Sequence, residues 1–238
     1  MNYQTIIERL KALSSEKYKA NVIKMGIPEN DSLGVSTSDI RKLAKSIPNS
    51  NQTAYQLWNS NYHEAKLLAV LIFEKKKITL SEIKILINDV NSWDLCDHLC
   101  KNLIIKVPDY ENLIYEWIVS NQTYIKRAAF TLIASDVIHN KKISDKTINN
   151  YLILIKNHSH DNQIHIKKAV TWALKEIGKK NFNYHEKALI LAYELSENGD
   201  KTQQWIAKNA LKELENLVKV EGRTRLISRN SKMSKENL

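Results

Sequence analysis

Apolar residues recur along most of this chain at intervals of three and four, the spacing that gathers them on one face of a helix. Over residues 3–24, Ile6, Ile7, Leu10, Leu13 and Tyr18 mark one or two amphipathic helices, which Pro28 and the polar residues 29–32 bring to an end. In Leu33-Gly34-Val35-Ser36-Thr37-Ser38-Asp39-Ile40, Gly34 permits a tight turn and Ser36 or Thr37 suits the N-cap of the helix that follows. Amides exposed at such a helix start can hold a phosphate, although every helix start needs a cap of this kind. Polar stretches at 74–77, 107–110, 121–123, 139–145 and 157–162 separate the later periodic segments. Each is short, as expected between antiparallel neighbours. No run of alternating apolar and polar residues between turn signals predicts a sheet. The chain reads as all-α.

The periodic segments also repeat. Glu64-Ala65-Lys66-Leu67-Leu68, Lys126-Arg127-Ala128-Ala129-Phe130, Lys167-Lys168-Ala169-Val170-Thr171 and Ile206-Ala207-Lys208-Asn209-Ala210 each combine charge, alanine and apolar residues. Ala128, Ala169 and Ala207 fall roughly 40 positions apart, the period of stacked HEAT or armadillo helix pairs. The wider gap between Ala65 and Ala128 has room for one more pair, which the helix around Trp93 fills. The expectation is a HEAT-like repeat solenoid of stacked antiparallel helix pairs, with a concave basic face lined by one helix from each pair. Residues 1–221 would form a single domain. Residues 222–238, with Arg223, Arg225, Arg229, Lys232 and Lys235 and few apolar positions, would form a flexible basic tail.

Composition narrows the partner. Of 238 residues, 36 are Lys or Arg and 26 Asp or Glu, so 36 − 26 gives a net charge of +10. Such an excess favours a polyanion, nucleic acid ahead of an acidic membrane surface. No run of about 18 or more apolar residues is present to cross a bilayer. The start, Met1-Asn2-Tyr3-Gln4-Thr5, lacks the basic opening and apolar core of a signal peptide. A cytoplasmic, nucleoid-associated monomer with no membrane and no obligate protein partner is expected.

Candidate chemistry concentrates in Asn91-Ser92-Trp93-Asp94-Leu95-Cys96-Asp97. On a helix Trp93 and Asp97 lie one turn apart on the same face, and an aromatic plane beside a carboxylate suits a cationic ligand. Asn91 or Ser92 suits the cap and Asp94 suits the first turn, which leaves Asp97 without a capping duty. The plainer alternative packs Trp93 in the core and pairs Asp97 with a lysine of the next helix. Cys96 and Cys100 flank His98, but no second ligand pair completes a tetrahedral metal site. They read as buried thiols, and neither metal nor cofactor is expected. Trp58, Trp117 and Trp205 sit in apolar stripes and read as core.

Taken in order, Trp93-x-x-x-Asp97, Lys126-Arg127-Ala128-Ala129 and Lys167-Lys168-Ala169-x-x-Trp172-Ala173-Leu174-Lys175 resemble the bacterial DNA alkylation repair family of HEAT-like DNA glycosylases, the AlkD-like proteins. The resemblance implies that Trp93 and Trp172 wall a lesion site, that Asp97 is the catalytic carboxylate and that Arg127 binds a phosphate. Ser36 and Thr37 fall at the family's phosphate-contacting helix start, though Ser36 and Ser38 stand where Gln and Pro are found. Lys175 replaces a usual Arg and loses its bidentate fork. Lys126 and Lys168 complete the expected DNA-binding set. The implied activity is hydrolysis of the N-glycosidic bond of cationic alkylpurines, N7-alkylguanine or N3-alkyladenine, in duplex DNA. Two other readings stand beside it: a HEAT-repeat protein that recognises DNA structure without cutting, and a protein-binding helical scaffold.

Overall fold

In the computed structural model, which describes residues 1–237, the polar breaks in the sequence become helix ends, most with a side-chain cap. The chain packs as two compact units, Met1–Tyr110 and Glu111–Leu238. The first contains α1 (Tyr3–Ala12), α2 (Glu16–Lys24), α3 (Thr37–Lys45), α4 (Asn51–Trp58), α5 (His63–Ile72), α6 (Leu80–Leu86) and α7 (Trp93–Asn102). Asn2, Ser15, Ser36 and Ser50 each accept a hydrogen bond from an amide of the helix they open, and Thr79 forms a capping box with Glu82. Helix α5 is apolar on nearly every side because it touches α1, α3, α4 and α7. Residues 3–24 form two helices; Leu13, between them, is exposed, and α2 buries no residue.

The second unit contains α8 (Glu111–Trp117), α9 (Thr123–His139), α10 (Asp145–His158), α11 (Ile164–Gly178), α12 (Phe182–Asn198) and α13 (Lys201–Leu214). It ends in a short antiparallel pair, β1 (Leu217–Val218) and β2 (Ile227–Ser228), followed by α14 (Lys232–Asn237). Helix α11 lies between α9 and α13, while α8, α10 and α12 each pack on the helix that follows. This is the layering of stacked helix pairs. The repeated alanines explain the close approach: Ala65, Ala128, Ala169 and Ala207 are all buried. Gly178 extends the same device, since a Cβ there would meet Leu214 Cδ2 at 2.4 Å.

Within the segment expected as a flexible tail, the described residues 222–237 include a β-strand and a short helix. The boundary expected at residue 221 falls within the second unit, and beyond it Leu226 is buried and its amide donates to the Lys179 carbonyl. Arg225 is drawn in because buried backbone carbonyls and a carboxylate wait for its donors. The β1–β2 pair, two residues per strand, is too short to leave an alternating pattern.

Candidate functional site

In the first unit, α7 places Leu95, Cys96, Leu99 and Cys100 in the core and leaves Trp93 and Asp97 partly exposed. Trp93 does not pack as a core residue: its indole N–H donates to the Met25 carbonyl at the end of α2, 2.9 Å away. The Lys101 ammonium, one turn along the same helix, stands 4.0 Å from the Asp97 carboxylate. Asp94 has the structural duty. It accepts from Ser92 Oγ at 2.7 Å and from the Leu95 amide at 2.8 Å, and meets His63 Nε2 at 2.8 Å. Burial pushes the Asp94 carboxyl up, but the His63 hydrogen bond and charge, with Ser92 and the Leu95 amide, hold it below the usual carboxylate range.

His98 is committed on both nitrogens, with Nε2 against the Leu67 carbonyl at 3.0 Å and Nδ1 against the Asn102 amide at 3.3 Å. Burial, reinforced by Arg41, pushes its pKa down to about 4. Cys96 and Cys100 are buried and not joined in a disulfide. Among the described residues, no three His, Cys, Asp or Glu side chains group where an ion would sit.

The helix start at residues 33–37 differs from an open phosphate seat. Glu64, on α5, inserts a buried carboxylate that accepts from Ser32 Oγ at 3.0 Å and from the amides of Leu33, Gly34 and Val35 at 2.8, 2.8 and 3.2 Å. The chain supplies its own anion there. Gly34 has φ +77°, and a Cβ on it would lie 2.5 Å from the Ser15 carbonyl oxygen, so the turn requires glycine. Ser36 caps α3 and donates to Asp39 Oδ2 at 2.7 Å, while Thr37 is exposed. Glu64 was the residue to notice in sequence, since a carboxylate within His63-Glu64-Ala65-Lys66-Leu67-Leu68-Ala69-Val70 can be buried only with partners.

In the second unit, Arg127 is not at the surface. It is buried on α9, where Nη1 donates to the His165 carbonyl at the start of α11, 2.6 Å away. That carbonyl opens the helix and faces a donor-rich neighbour, so the guanidinium ties α9 to α11. Lys126 pairs with Asp161 at 2.8 Å, and Lys175 with Glu213 of α13 at 2.7 Å. Lys168 is exposed. Burial, Arg127 and Lys168 all push the His165 imidazole down, which marks a positive neighbourhood. Trp172 is partly exposed on α11 and its indole N–H donates to Glu176 Oε1 at 3.2 Å. Trp58 and Trp117 are core, but Trp205 is only partly buried, with Lys167 Nζ 4.8 Å above its ring.

The sequence model of the family described as DNA alkylation repair enzyme matches residues 6–214. The chain belongs to the DNA alkylation repair enzyme family. Its fold agrees with that of solved HEAT-like relatives. One is described as "a new family of proteins related to the HEAT-like repeat DNA glycosylases with affinity for branched DNA structures", with 20% identity, TM-score 0.75, and 99% of this chain and 94% of that one covered. AlkD2 from Streptococcus mutans shares 19% identity at TM-score 0.55, over 83% of this chain and 97% of its own. The protein smu.31 from Streptococcus mutans UA159 shares 18% at TM-score 0.53, over 88% and 98%. No curated protein matches the sequence. The architecture of this family member is thus all-α and HEAT-like. No helix among the described residues is long and apolar enough to cross a membrane.

Proposed function

We propose that this protein is a monofunctional DNA glycosylase acting on cationic alkylpurines in duplex DNA. The observation that carries the reading is Trp93 with Asp97: an indole and a carboxylate one turn apart, both partly exposed, on a helix whose other face is core. An N7- or N3-alkylated purine is already positively charged and leaves without strong acid assistance. What remains is to stabilise positive charge on the deoxyribose as the glycosidic bond breaks and water adds. Asp97 does so by Coulomb attraction and by orienting that water. Trp93 offers its electron-rich face to the same charge, and Trp172, on the second unit, is a further indole face suited to a cationic base. No covalent nucleophile is needed, and the proton lost by the water goes to solvent or to Asp97.

DNA contacts fall first to exposed Lys168 and Thr37. Lys126 and Lys175 join by exchanging a carboxylate partner for a phosphate, and Ser36 by its cap position. Arg127 acts from beneath, by fixing the opening of α11 that carries Lys168. The test is base release from duplex DNA carrying one N7-methylguanine or N3-methyladenine. Release by the wild-type chain supports the reading, and its absence at high protein concentration refutes it.

A second reading is favoured by a specific observation. The relative with affinity for branched DNA aligns over nearly the whole chain at TM-score 0.75, against 0.55 for AlkD2. On this reading the protein binds DNA by its structure and breaks no bond. Tight binding to a four-way junction without base release from any methylated duplex is the outcome that selects it.

A further inference from the structure

The hairpin beyond residue 214 reaches the neighbourhood of Trp172. Arg225 Nη2 donates to Glu176 Oε2 at 2.7 Å and to the Glu176 carbonyl at 2.8 Å, while Nη1 donates to the Val137 carbonyl near the end of α9, 3.1 Å away. The guanidinium thus joins two neighbouring helices. Glu176 is buried, and its other oxygen, Oε1, accepts from the indole N–H of Trp172 at 3.2 Å and from Lys179 Nζ at 3.1 Å. Lys179 is in turn held by Glu213. One carboxylate therefore stands between a hairpin arginine and the indole.

We propose that Arg225 is a positioning residue for Trp172, acting through Glu176. The inference rests on the reading of Trp172 as a wall of the lesion site. A carboxylate turns about its last torsion with little resistance, and an acceptor that must serve an indole at 3.2 Å has to be fixed from its far side. Arg225 does this with a planar fork, one nitrogen on the side chain and backbone of Glu176 and the other on Val137. The hairpin delivers it rigidly, because Leu226 is buried and its amide donates to the Lys179 carbonyl at 2.8 Å. Without Arg225, Glu176 is free to swing to Lys179, and the indole loses the acceptor that sets the tilt of its face.

Arg225→Met removes the fork, and Arg223→Met removes the same charge from an exposed position of the same hairpin. The full chain labelled with nitrogen-15 is compared for both variants, with the Trp172 indole resonance assigned by its loss in Trp172→Phe. Arg225→Met should move that resonance and raise its exchange with water, while Arg223→Met leaves it in place. Single-turnover base release should fall about 10- to 10²-fold at saturating protein in Arg225→Met, because a misaligned group lowers the rate of the bound complex. Arg223→Met should change only the protein concentration needed for saturation. If Arg225→Met does not fold, Arg225→Lys, which keeps charge but lacks the fork, is read in the same way. An unmoved Trp172 resonance in a folded Arg225 variant overturns the inference. Wild-type protein that releases no base overturns the glycosylase reading instead, and the indole resonance still decides whether Arg225 positions Trp172.

Discussion

The carboxylates of α7 divide their work by what surrounds them. Asp94 is tied to His63, Ser92 and an amide of its own helix, whereas Asp97 lies on the face it shares with Trp93. Asp97→Asn keeps shape and removes charge, so it should slow release of N7-methylguanine or N3-methyladenine by about 10²- to 10³-fold while binding to the same duplex stays nearly constant. Equal single-turnover rates for the two proteins would sink the proposed mechanism. Release of neutral uracil as fast as of a cationic base would do so as well, since the proposed site has no general acid for a neutral leaving group. His98 makes a separate prediction about stability. Its folded pKa of about 4 lies below its ordinary 6.5, so between those values the unfolded chain binds the proton and the folded chain does not. Stability is therefore intact above about pH 6.5 and declines as pH falls toward 4, by about 3 kcal/mol in all from this group. Denaturant titrations over that range should show His98→Gln with a flatter slope than wild type.

At the scale of elements, the helices and their stacking were legible because their signals are local. Apolar spacing, Ser and Thr caps and a repeated alanine are each contained within one turn or two. What escaped was the polar traffic between elements. Arg127 and Trp172 sit in recurring segments, but nothing near them in sequence tells that Arg127 points inward to the His165 carbonyl or that Trp172 leans on Glu176. Arg225 and Glu176 are 49 positions apart, and a basic run gives no sign of which member will be drawn in. Glu64 shows the strength of such contacts, gathering three amides and a hydroxyl from a segment about thirty residues earlier. Glu64→Gln would point an amide N–H₂ at donors that now meet a carboxylate oxygen. It should lower unfolding free energy by about 2 to 4 kcal/mol, read as a shifted urea midpoint with an unchanged slope. An unmoved midpoint would mean that the turn at residues 33–35 is held by its glycine alone.

For the whole molecule, the excess of +10 charges sets the long-range pull on DNA, but the ion pairs decide which cations are available to it. Lys126 and Lys175 already face Asp161 and Glu213 at 2.8 and 2.7 Å, and Arg127 is buried against a carbonyl. Lys168 is exposed and makes no ion pair among the described residues, and it projects from the α11 opening that Arg127 fixes. A phosphate contact releases counterions, so duplex affinity should fall steeply between low and moderate salt. Lys168→Ala should weaken binding to every sequence alike and reduce the slope of log affinity against log salt by about 1, with thermal stability unchanged. Arg127→Ala should differ in kind. It removes a buried hydrogen bond between α9 and α11 and opens a buried space, so it should destabilise the fold by about 2 kcal/mol or more and weaken DNA binding mainly through that loss. Salt-dependent binding and thermal melts of both variants separate the two roles. A stable Arg127→Ala protein with a salt slope reduced by a full unit would return Arg127 to direct phosphate contact. Affinity that ignores salt would remove DNA as the partner.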